Sequence, residues 1–145
     1  MLKNTSLLLF LIVSGLKLSA QNKDAIVGTW FTSKHDAKIE IYKRGDAYFG
    51  KLAWFKEEND ASGKPKLDVK NPNQSLKNRT LLNLEFLKNF VYKGENTWEN
   101  GEIYDAQSGK TYSSKISMSG NDQLNLRGYV GVSLFGRTEV WTRVK

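Results

Sequence analysis

The sequence predicts an all-β fold, an eight-stranded antiparallel up-and-down barrel with one long loop. Three observations predict it. After residue 20 the chain alternates apolar and polar residues with period two over most of its length. Turns rich in glycine, asparagine and aspartate break that alternation at short intervals. No stretch carries the apolar spacing of a long amphipathic helix. Short strands joined by tight turns read as a meander, and a sheet of this size loses its exposed edges by closing on itself.

The first 20 residues read as a secretory signal peptide rather than as part of the fold. Lys3 supplies a basic start, and Leu7 to Val13 is an unbroken apolar run. Leu18-Ser19-Ala20 places a small residue before a cut at Gln21. The run is shorter than the roughly 20 residues a membrane span needs. Residues 21–145 then read as one domain, exported to the periplasm or beyond it, with no second long apolar segment.

The predicted strands are 26–33, 37–43, 47–56, 86–93, 98–105, 110–118, 123–131 and 137–144. The first holds "IVGTW" (26–30). In "AKIEIYK" (37–43), Ile39 and Ile41 alternate with Lys38, Glu40 and Tyr42. "AYFGKLAW" (47–54) is aromatic and β-prone. "QLNLRGYV" (123–130) sets Leu124, Leu126, Gly128 and Val130 against Asn125, Arg127 and Tyr129. "TEVWTRV" (138–144) is β-branched and aromatic. Turns fall at Arg44-Gly45-Asp46, Gly94-Glu95-Asn96, Ser108-Gly109-Lys110, Gly120-Asn121-Asp122 and Leu134-Phe135-Gly136. "LLNLEFLKNF" (81–90) reads as a helical turn leading into a strand. Residues 57–80 are polar and hold both prolines, Pro65 and Pro72. A loop of that length is often functional, and this one reads as a lid or a strapped-down side loop.

Composition narrows the function classes. The chain carries +7 at neutral pH, with Lys3 and Lys17 inside the leader. That balance fits solvated lysines on strand faces, with anionic lipid or glycan as a second reading. No basic cluster interleaved with aromatics supports nucleic acid as a partner. The chain has no cysteine, so disulfides, thiol catalysis and thiolate metal sites are excluded, and core burial must hold the fold.

"IVGTW" near the start and "VWTRV" at the end resemble the lipocalin and calycin arrangement. A narrower likeness covers the whole chain after the leader. "IVGTW" (26–30), "IEIYKRGDAYFGKLAW" (39–54), "DASGKPKLDVKNPNQSLKNR" (60–79), "WENGEIYDAQSGKTY" (98–112) and "LRGYVGVSLFGRTEVWTRV" (126–144) resemble the bacterial family called domain of unknown function 2147. The resemblance implies a small exported lipocalin-like barrel, and it implies no catalytic residues. It also implies that Gly28 and Trp30 pack at the barrel's closed end against an arginine near the last strand. Arg143 is the favoured partner and Arg137 the other, with Trp141 between them. The chain departs from the family pattern at Thr80, where a proline is common, and at Asn83, where a glycine is common.

The interior of an eight-stranded barrel is either filled or holds one small ligand. Trp54, Tyr104, Tyr112 and Tyr129 are candidate wall residues for a cavity, within a wider supply of strand aromatics that includes Tyr48, Trp98 and Trp141. Glu102, Arg127 and Arg137 are candidate inward polar groups, and an inward arginine needs Glu102 or Glu139 as a partner. Such a set suits a carboxylate or lipid headgroup. Hydrolysis has little to draw on: His35 is the sole histidine and sits in the turn "SKHDA", while Glu102 and Asp105 have no telling spacing. "ENDASGK" lacks the spacing of a calcium loop, and "GYVGVSLFG" is no phosphate loop. No cofactor or metal is expected. The leading reading is an exported barrel that binds a small apolar or amphipathic molecule. The alternative is a filled barrel that docks a protein, lipid or glycan of the cell envelope, and an enzyme is the least supported.

Overall fold

Alternation along each strand sorts side chains into an inner and an outer set, and the pairing of the strands closes the inner set on itself. In a computed structural model, which describes residues 22–145, eight antiparallel strands follow one another round a closed barrel. They are β1 (Gly28–Phe31), β2 (Ala37–Arg44), β3 (Ala47–Phe55), β4 (Glu85–Gly94), β5 (Thr97–Asp105), β6 (Lys110–Ser119), β7 (Gln123–Tyr129) and β8 (Arg137–Arg143). β1 meets β8 with Trp30 opposite Arg143 and Phe31 opposite Thr142. The expected fold class is the one observed, and the predicted strands fall on the observed ones with small shifts at their ends. The expected signal peptide lies outside the described residues.

The turns divide between two ends. The β2–β3, β4–β5 and β6–β7 turns share one end with the segment before β1; we call it the floor. The β1–β2, β5–β6 and β7–β8 connections and the long 56–84 segment share the other, the mouth. Toward the floor the inside is solid. Ile26, Trp30, Tyr48, Phe90, Trp98, Ile116 and Leu124 are each at most 1% exposed. A buried aromatic removes about 150–250 Å² from water, so two tryptophans and their neighbours can hold a chain without disulfides.

Residues 26 and 27 precede β1 rather than opening it. Gly28 has φ of +138°, a backbone setting that other residues rarely adopt, and the chain there leaves the strand and turns under the barrel. The segment before it is tied down one residue at a time. Trp98 Nε1 donates to the Lys23 carbonyl at 2.9 Å, and Trp30 Nε1 donates to the Ile26 carbonyl at 2.9 Å. The Tyr48 hydroxyl donates to the Asp24 carboxylate. Ile26, fully buried, is the plug.

The outer face is polar. Arg44 forks onto Glu85 with N–O distances of 3.0 and 3.1 Å, and its guanidinium lies 3.8 Å from the Phe49 ring centroid. Lys51 pairs with Glu40 at 3.5 Å. An apolar inside and charged outside is the reverse of a membrane-spanning barrel. No helix among the described residues is long and apolar enough to cross a membrane.

The long β3–β4 connection is strapped to the outer wall. Asp68 is fully buried, and it accepts hydrogen bonds from the Tyr104 hydroxyl at 2.6 Å, Asn71 Nδ2 at 2.9 Å and Arg79 Nε at 2.9 Å. Burial works against the Asp68 charge, but those three donors outweigh it and hold the carboxyl below its usual range. Burial, and then the carboxylate beside it, push the Tyr104 hydroxyl up to about 12. The backbone bridge between Leu67 and Thr80 closes the strap. Of the helical turn expected near residue 81, only a non-helical turn forms before β4; the short 3-10 turn of this connection is Gln74–Leu76.

Candidate functional site

Above the solid floor the barrel is hollow. A cavity of about 1480 Å³ opens at the mouth. Its apolar wall comes from inward positions of five strands: Ile39 on β2, Leu52 and Phe55 on β3, Ile103 on β5, Leu126 on β7 and Trp141 on β8. Ile39, Leu126 and Trp141 are each 2% exposed and form the boundary between cavity and core. Leu81, Leu84 and Phe86 add a side from the end of the long connection and the start of β4.

Its polar groups sit at the rim. Arg137 faces Gly128 across the β7–β8 ladder and lines the mouth, as do Lys34, Lys56 and Lys66. The carboxylates there are already engaged. Glu139 accepts from Ser33 Oγ at 2.9 Å and from Trp141 Nε1 at 3.0 Å. Glu57 pairs with Lys66 at 3.4 Å. Asp36 accepts from Thr32 Oγ1 at 2.7 Å, and Asp105 from Ser108 Oγ at 2.7 Å. Arg137, Lys34 and Lys56 carry no ion pair among the described residues. Four cations and four carboxylates thus line the mouth; the carboxylates already have hydrogen-bond donors, and Arg137 has no ion-pair partner among the described residues.

Of the residues expected to form the site, Tyr112 and Tyr129 line the cavity. Tyr104 touches its rim, but its hydroxyl is spent on Asp68 outside the barrel. Three expectations are corrected. Trp54 lies on the outer face, 37% exposed, with the Lys38 ammonium 5.7 Å from its ring. The cause is a bulge: Lys38 pairs with Trp54 and Ile39 with Leu52, which leaves Ala53 over and reverses the parity beyond it. Phe55 takes the inward place. Glu102 is exposed on the outer face, opposite Lys88 and Ser113. Arg127 also points outward, where it clamps the β7–β8 loop by donating to the Ser133 carbonyl at 2.5 Å, Thr138 Oγ1 at 2.8 Å and the Leu134 carbonyl at 3.1 Å.

The closure set divides in the same way. Arg143 lies 4.2 Å from the Trp30 ring centroid. It also donates to the carbonyls of Ala25 at 2.6 Å, Asn121 at 2.9 Å and Val27 at 3.1 Å. A Cβ at Gly28 would come within 2.8 Å of Arg143 Nη1, so the glycine makes room for the guanidinium. Arg137 belongs to the opposite end, six residues and about 20 Å back along the strand. Trp141 lies between floor and cavity.

His35 stacks on Phe31 at 4.7 Å, and no hydrogen bond joins it to a serine among the described residues. Asp60 turns its Oδ1 onto Ser62 N, Ser62 Oγ and Lys64 N, which makes "ENDASGK" a self-capped turn. No cluster of three or more metal-ligating side chains occurs among the described residues.

The sequence pattern of a bacterial family described as "Uncharacterized protein conserved in bacteria (DUF2147)" matches residues 28–143. The chain belongs to this family. No curated protein matches it. Among solved structures, the barrel is similar to protein HP1028 from Helicobacter pylori, described as belonging to the lipocalin family. The TM-score is 0.71 at 23% identity, covering 82% of each chain. At that identity the likeness speaks for the fold.

The two positions expected to depart from the family pattern, Asn83 and Thr80, sit easily in the structure. Asn83 has φ of +64°, a setting that suits glycine and that asparagine tolerates best among other residues. Its N–H donates to the Leu52 carbonyl at 2.7 Å. Thr80 donates its hydroxyl to the Leu82 carbonyl at 3.1 Å and pairs with Leu67, so the turn keeps its shape without proline.

Proposed function

We propose that this DUF2147 barrel is an exported binding protein for an amphipathic molecule whose head is anionic. Its apolar part occupies the hollow half of the barrel against Ile39, Leu52, Ile103, Leu126 and Trp141. Its head stays at the mouth beside Arg137, with Lys34 and Lys56 near by. The observation that carries the reading is the pairing of an apolar hollow with a rim whose acids are engaged and whose Arg137 is not. Pockets of this kind bury most of a ligand on apolar walls and orient it with a few polar groups. The hollow favours this reading over a filled barrel that acts only by its surface.

Dodecanoate is a suitable probe. Calorimetric titration should show one saturable site in the wild type. Ile103→Trp, which fills the hollow from the wall, should abolish it, while Lys88→Gln on the outer face should leave it unchanged. Uptake by Ile103→Trp equal to wild type would place the binding elsewhere and refute the proposal.

A further inference from the structure

Large apolar side chains that stay in water are not spread evenly over this barrel. Among the described residues they are Trp54, Leu67, Val69, Val130, Val132, Leu134 and Phe135 toward the mouth, with Val27 and Val140 the two exceptions. The densest group is the β7–β8 loop. Val130 is 73% exposed, Val132 58%, Leu134 78% and Phe135 79%, within six consecutive residues. A contiguous exposed apolar patch of this kind marks an interaction site.

The loop is held in place. Arg127 donates to the carbonyls of Ser133 and Leu134 from below, and Lys115 Nζ reaches Ser133 Oγ at 3.5 Å. The fold thus fixes backbone polar groups inward and leaves the apolar side chains outward. Val130 and Phe135 also line the cavity, so the patch is continuous with the mouth. The charge on the loop and its flanks has one sign, although Asp36, Glu57, Asp105 and Glu139 share the rim beyond it. From Gln123 to Thr138 the only charged residues are Arg127 and Arg137, and Lys34 and Lys56 stand at the same rim without a carboxylate partner.

We infer that the mouth docks on an anionic lipid surface, with the 130–135 loop inserted among the headgroups and the flanking Arg127 and Arg137 facing them. Apolar side chains flanked by cations are what an interfacial anchor requires: buried apolar area supplies the holding free energy, and basic residues select anionic lipid. Docked in this way, the cavity opens toward the bilayer, and an amphiphile can pass between membrane and barrel with little exposure to water. The inference rests on the loop and the rim, and stands apart from the ligand assigned to the cavity.

The test is co-sedimentation of the purified protein with vesicles of phosphatidylglycerol and phosphatidylethanolamine, beside vesicles of phosphatidylcholine. The wild type should partition onto the anionic vesicles and release them as salt rises. The double variant Val132→Ser, Leu134→Ser alters side chains outside the cavity lining and should partition at least about tenfold less, given the apolar area removed. Its dodecanoate affinity should equal that of the wild type. No wild-type partition onto anionic vesicles, equal partition onto phosphatidylcholine, or undiminished partition of the double variant would each overturn the inference. Failure of the wild type to take up dodecanoate while it still partitions onto anionic vesicles would count against the cavity reading and leave docking intact.

Discussion

The guanidinium of Arg143 lies 4.2 Å over the Trp30 ring, and the same guanidinium bonds three backbone carbonyls at the floor of the barrel. One residue thereby joins the last strand to the segment before the first and to the β6–β7 turn. Arg143→Lys keeps the charge and loses the fork, because a lysine cannot serve three carbonyls and a ring together. It should destabilise the protein by about 1.5–3 kcal/mol, the worth of a charged hydrogen bond to a buried partner. Trp30→Ala should cost more, about 3–5 kcal/mol. Denaturant melts check both, and Arg143→Lys melting with wild-type stability would contradict the role given to the fork.

The long strap should respond to acid through Asp68. Its carboxyl titrates below the ordinary value of about 3.9. A carboxylate whose folded pKa is depressed contributes stability that is complete above its unfolded pKa and is lost as pH falls through the folded one. Asp68→Asn should therefore melt well below wild type at neutral pH. The gap should narrow as pH drops below about 4, where the wild-type carboxyl also gains its proton. Thermal melts of both proteins across that range check the sign; a gap independent of pH would assign the effect to packing instead.

Gly109 is where the β5–β6 turn meets the strap. Its φ is +72°, and a Cβ there would fall 2.1 Å from the Lys70 carbonyl oxygen. Backbone cannot move aside as a side-chain tip can. Gly109→Ala should push the strap off the wall, seen as faster tryptic cleavage at Lys66 and Lys70, with the floor and its tryptophans unchanged.

Arg137 is assigned to the ligand's head, so its removal should discriminate between heads. Arg137→Gln should weaken dodecanoate roughly tenfold, the worth of one charge-assisted hydrogen bond, and leave dodecanol nearly unaffected. Equal loss for the acid and the alcohol would show that the residue shapes the mouth without reading charge.

Much of this architecture is legible in the sequence because alternation and turn residues are local signals. Trp30 with an arginine near the C-terminus is legible too, since a closed barrel must bring its first and last strands together. The site is harder to read. Counting by two from Leu52 points Trp54 inward, and nothing in "KLAWF" announces the extra residue that turns it out. For Arg127 the signal was present: it alternates with Leu124, Leu126 and Gly128, which are inside. Ile103 between Glu102 and Tyr104 likewise marks both as outward. Arg137 shares parity with Trp141 and does face in, but strand parity says nothing about which end of the barrel a residue reaches. The plug segment around Ile26 is held by Trp98 on Lys23 and by Arg143 on Ala25 and Val27, both distant in sequence, and no local pattern encodes it.

The central claim is that the hollow half of the barrel carries an amphiphile. Native mass spectrometry of protein purified without denaturation from the cells that make it tests this most directly. The account predicts a bound small molecule that excess dodecanoate displaces and that Ile103→Trp fails to retain. Ligand-free protein in repeated preparations, with no dodecanoate adduct at saturating concentration, would contradict it.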